Sequence, residues 1–157
     1  MSELKSVQLA IDLATRDRDE LAKIVARVER SLAFVNEQMA QLEGYAAETD
    51  SRWIGSASRN LSPELMRHHY QFMDRLQQAI AMQSGAIVNT GTQLEQAKGN
   101  LLRAEFRLSG LNQILKNRQV DLRRAARRRE QREMDEFAAM QYARNRAQPM
   151  SGEKHDY

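Results

Sequence analysis

Along the first third of the chain, apolar residues recur at alternating steps of three and four: Leu4, Val7, Ile11, Ala14, Arg18, Leu21, Val25, Val28, Leu32, Val35, Met39, Leu42, Ala46, Thr49 and Trp53. Thirteen of these fifteen positions are apolar. A mean step of about 3.5 residues makes a helix supercoil around a partner. Eight heptad starts without a stutter exceed what a globular helix needs, so the pattern predicts a coiled-coil seam. The device returns in Met66, His69, Met73, Leu76, Ile80, Gln83, Ile87, Thr90, Leu94, Ala97, Leu101, Ala104, Leu108, Leu111, Leu115, Arg118, Leu122 and Ala125, where fourteen of eighteen are apolar.

Proline occurs only at positions 63 and 149, leaving two long stretches with nothing to break a helix. Between them, Gly55 to Pro63 reads as a turn. Ser62, Pro63 and Glu64 supply an N-cap, a first-turn proline and a first-turn acid. The expected layout is helix one at about 3–53, a turn at about 54–62 and helix two at about 63–144, together one hairpin domain over 1–147. The stretch 148–157 has no apolar period and is expected to be a disordered tail. So short a link forces the helices antiparallel. The predicted fold is all-α, an antiparallel two-helix coiled-coil hairpin with a longer second helix. Pairing seam positions around the turn sets Met39 opposite Leu76, Leu21 opposite Leu94 and Leu4 opposite Leu111. Helix two then overhangs from Asn112 to about Arg144, about 50 Å at the α-helical rise. Glycines at 85, 91, 99 and 110 inside helix two predict local softness or close helix packing.

Composition supports helices over sheets: of 157 residues, 41% are apolar and 29% charged, but only 6% aromatic. With no cysteine there is no disulfide, thiolate metal site or thiol nucleophile. The first ten residues lack the basic start and apolar run of a secretory signal, and nowhere do about eighteen uninterrupted apolar residues occur. A soluble chain, at most peripheral to a membrane, is expected.

Charge is polarised. Residues 116–132 hold eight basic side chains against Asp121 and Glu130, a net +6 in a chain of +3, whereas the first fifty residues carry six bases and ten acids. Five arginines crowd into 123–129 with few local acids to answer them. A basic-region zipper would place its arginines ahead of a parallel seam, and an interfacial helix would need a broader apolar face. Specific nucleic-acid binding and membrane insertion are therefore disfavoured against an acidic protein partner.

No catalytic constellation emerges. His68 and His69 are adjacent, so on a helix they point about 100° apart and cannot chelate one metal. His155 lies in the tail. The cluster Asp17, Asp19 and Glu20 beside Arg16 and Arg18 reads as a solvated face. Phosphate-cradling and dinucleotide motifs are absent, and two strands of helix offer no water-excluding cavity. The expectation is no catalytic residue, no metal and no cofactor.

Just off the seam, Gln38 and Tyr45 on helix one flank Leu65, Phe72, Ala79 and Ala86 on helix two. Antiparallel pairing brings Tyr45 beside Phe72 and Gln38 beside Ala79, either as anchors of a binding patch or as a widening of the core. Three spaced motifs, Gln38-x-x-x-Leu42-x-x-Tyr45, Phe72-x-x-x-Leu76-x-x-Ala79-Ile80-x-x-Gln83 and Arg129-Glu130-Gln131-x-x-x-Asp135-Glu136-x-Ala138, together resemble the FliJ family of bacterial flagellar export proteins, over residues 4 to about 144.

The resemblance implies a non-enzymatic stalk of the flagellar type III export apparatus, similar to the rotor stalk of F-type ATPases, serving motility and chemotaxis. It implies a cytoplasmic protein, peripheral to the inner membrane at the flagellar base. Its partners would be the hexameric flagellar export ATPase, the cytoplasmic domain of the membrane export gate protein, and export chaperones that it helps recycle. Carried over, the gate-binding patch is Gln38, Leu42, Tyr45, Phe72, Leu76 and Ala79. The end facing the ATPase ring is assigned to Arg123, Arg124, Arg127 and Arg128. Thr49 stands where relatives often carry a second aromatic, a departure that bears on the strength of gate binding and not on the direction of the patch. A stalk from a virulence-type secretion system and a basic nucleic-acid-binding coiled coil are the alternatives.

Overall fold

The two periodic stretches are continuous helices, α1 (Ser2–Ser56) and α2 (Pro63–Ala147), in a computed structural model that describes residues 2–56 and 62–147. They pack on each other as an antiparallel hairpin with the longer helix second, and no strand occurs among the described residues. α1 ends three residues beyond its expected limit. Most of the expected turn and the whole expected tail lie outside the described residues.

α2 starts where its signals place it. The Ser62 hydroxyl accepts from the Leu65 amide at 3.3 Å, and the Ser62 carbonyl accepts from the Met66 amide at 3.2 Å. The first bond satisfies a donor that a helix start otherwise leaves to water, and the second opens the helical ladder. Glycines 85, 91, 99 and 110 break nothing, and no described residue has a positive φ. Their close-packing reading fails, because a methyl group at Gly85, Gly91 or Gly110 would meet nothing within 4 Å.

The contacts divide the chain into two units, one of residues 12–108, the other of 1–11 with 109–157. In the first, the core is a thin line of side chains: Ala14, Val25, Leu76, Leu94, Ala97, Ala104 and Leu108 are buried. Val25, Leu94 and Ala97 form its centre, with Ile24, Val28, Leu32 and Leu101 packed around them. All fifteen positions of the first seam are buried or half-buried, as are all positions of the second from His69 to Leu115.

The register differs from the expected one by a heptad. Trp53 stacks on His69 with ring centroids 3.9 Å apart and planes 3° from parallel. Val25 packs with Ala97, and Leu21 shares a depression with Asn100 and Ala104 instead of meeting Leu94. The expected pairing would have set Trp53 against Ser62, ahead of the first turn of α2. Sliding one heptad matches the last turn of α1 to the first of α2 and covers the indole.

In the other unit, Glu3 pairs with Arg118 at 3.6 Å and lines a depression with Leu4, Asp121 and Leu122. Leu4 therefore faces Arg118 and not Leu111. Every described residue from 121 onward is exposed. The overhang accordingly begins after Leu122 rather than at Asn112, and spans 123–147, about 38 Å of helix.

Most polar residues in the seam are answered. Gln83 donates from Nε2 to the Val35 carbonyl at 2.8 Å and to Gln38 Oε1 at 3.1 Å. Thr90 donates to the Ala86 carbonyl at 2.8 Å. Arg18 lies half-buried along its stem, and its guanidinium pairs with Asp19 at 2.8 Å. Two opposite outcomes are expected in urea unfolding followed by circular dichroism. Leu94→Ala should cost about 2–3 kcal/mol by cutting the centre of the core. Gly85→Ala should gain about 1 kcal/mol, since the added methyl meets open space.

Candidate functional site

A helical hairpin buries one stripe of each helix and leaves the positions beside it half-covered. On one flank this produces a groove of about 470 Å³, lined by Gln38, Gln41, Leu42, Tyr45, Phe72, Leu76 and Gln83. Leu76 is buried and Leu42 half-buried, so they form the floor. Tyr45 and Phe72 are 61% and 42% exposed and stand as the walls, one from each helix. Five of the six residues assigned to the patch line this one groove. Ala79 is half-buried but does not line it.

Gln41 and Gln83 were not among the expected patch residues. Gln83 looked like a polar exception in the seam. Its amide bridges the seam and holds Gln38 at the groove edge. No side chain lining the groove carries a charge, and three of the seven are amides. Such a lining suits an apolar segment that also offers backbone or amide groups for hydrogen bonding.

The arginines assigned to the other surface lie in the unit of residues 1–11 and 109–157. Arg123, Arg124, Arg127 and Arg128 are all exposed and, among the described residues, none is in an ion pair. The nearest acids on the same helix are Asp121, which precedes the arginines, and Glu130, Glu133, Asp135 and Glu136, which all follow them. A base placed before its acid is the weaker orientation for pairing along a helix. Four guanidiniums thus stay free to meet carboxylates elsewhere.

Among the described residues, no group of three or more His, Asp or Glu side chains is arranged to hold a metal ion. His68 is exposed and His69 is occupied by the Trp53 stack, with Tyr70 edge-on at 5.9 Å. No described helix is long and apolar enough to cross a membrane.

Fold and surface together define an all-α, two-helix coiled-coil hairpin carrying a charge-free groove in one unit and a run of exposed arginines in the other. Residues 4–147 match the model of the flagellar FliJ protein family, and the chain belongs to that family. Membership gives it a role connected with flagellar protein export. No curated protein matches the chain.

Because Tyr45 and Phe72 project outward, replacing either with Ala should change unfolding free energy by less than about 0.5 kcal/mol. Gln83→Ala should cost about 1 kcal/mol, the net worth of a hydrogen bond across the seam. Thermal melts of the three variants check both expectations.

Proposed function

We propose that this protein is the non-enzymatic stalk of the flagellar export apparatus. Its arginine-bearing end enters the central hole of the hexameric export ATPase, promoting ring assembly and turnover. The groove of the other unit holds the cytoplasmic domain of the membrane export gate protein, and the chain assists the recycling of export chaperones. It works on the cytoplasmic side, peripheral to the inner membrane at the flagellar base.

The observation that carries the reading is the uncovered arginine run. An exposed helix holding Arg123, Arg124, Arg127 and Arg128, none of them in an ion pair among the described residues, is suited to a partner that surrounds it with carboxylates and carbonyls. Family membership supports the setting. The uncharged, aromatic-walled groove supports a second, chemically different contact, so one chain would engage two partners through non-competing surfaces. Mutual effects between gate and ATPase would then be a coupling free energy carried by the stalk.

Purified protein added to its cognate export ATPase should raise turnover and increase the hexamer population seen by gel filtration. Arg123→Glu, Arg124→Glu and Arg127→Glu combined should remove most of that stimulation, and undiminished stimulation would refute the ring assignment. Tyr45→Ala with Phe72→Ala should weaken binding to the gate's cytoplasmic domain about tenfold or more with helicity unchanged. Equal gate affinity would rule out the groove.

A further inference from the structure

Beyond the arginines, the uncovered part of α2 changes character. Met134, Phe137, Met140 and Tyr142 are 63–69% exposed. Met134, Phe137 and Ala138 form a shallow groove of about 540 Å³, edged by Glu130, Glu133 and Gln141. Nothing in the two-helix fold explains large apolar side chains here, since no α1 residue pairs with this part of α2.

The groove shares a face with part of the arginine run. At about 100° per residue, Arg123, Arg127 and Met134 fall within one narrow strip of the helix. From Arg127 to Met134 is about 10 Å along the axis. Glu130 lies on the same strip between Arg127 and Met134, so a protein surface whose carboxylates meet Arg123 and Arg127 reaches Met134 and Phe137 only if it turns a basic or polar group to Glu130. Glu130 and Glu133 edge the groove and would be driven against the headgroups of an anionic bilayer, which disfavours a membrane as its occupant.

Resting on the ring reading above, we propose that Met134 and Phe137 form a second contact with the protein that receives the arginines, taking up an apolar side chain of that partner. The arginines supply attraction and orientation. The apolar contact supplies binding that salt does not screen.

The test measures binding of three proteins to the purified cognate ATPase at low salt and at about 1 M salt, where charges are screened beyond about 3 Å. They are the unaltered chain, Met134→Ala with Phe137→Ala, and Arg123→Glu with Arg127→Glu. Both changes to alanine are at exposed helical positions, and circular dichroism verifies helicity. The unaltered chain should retain measurable binding at high salt. The alanine pair should lose about tenfold or more at both salt concentrations, the scale of forfeiting a buried apolar side chain. The arginine reversal should act mainly at low salt. Alanine variants that bind like the unaltered chain, with the arginine variant impaired, would overturn the apolar contact and leave the ring reading standing. Failure of all three to bind would overturn both. Loss confined to self-association, or to flotation with phosphatidylserine vesicles, would assign the groove to that occupant and overturn the proposal.

Discussion

Two helices cannot enclose an interior. Each offers the other a single stripe, and here even the best-covered side chains, from Ala14 to Leu108, fall short of complete burial. Alanine at positions 14, 97 and 104 lets the backbones approach, while Val25, Leu76, Leu94 and Leu108 supply most of the apolar area. Every residue beside the stripe is left half-wet. Binding surface is therefore a by-product of this architecture, and the flank groove is the place where two such positions carry aromatic rings.

The seam's polar members do what an all-leucine seam could not. A heptad pattern can slide by one repeat and still set apolar against apolar, so burial alone does not choose the register. Gln83 meets Gln38 in the observed alignment, whereas the alignment one heptad away would set it opposite Leu32. Trp53, too, finds His69 only in the observed alignment. Polar and aromatic details decide between alignments that hydrophobicity leaves nearly equal.

That degeneracy explains what could be read in advance. The seam is legible from Leu4 to Trp53 and from His69 to Leu115, because a period of three and four leaves a signature that no other element shares, whereas Met66, Arg118, Leu122 and Ala125, expected in it, are exposed. The start of α2 was legible from Ser62, Pro63 and Glu64. The pairing differs by one heptad from the one the turn's composition suggests, and with it the start of the overhang, because Trp53 takes its cover from His69. Of the groove, Tyr45 and Phe72 could be found as large residues just before a seam position. Gln83 stands in the second motif but outside the expected patch, although an amide at such a seam position is itself a signal of a bond across the seam. Gln41 sits farther from the seam and left no comparable mark, and Ala79 was too small and too close to the seam to line the groove wall.

Trp53 is the chain's one tryptophan, and it lies flat against an imidazole where the last turn of α1 meets the first turns of α2. The protein thus carries a native optical reporter. Its emission answers to whether that end of the hairpin is closed.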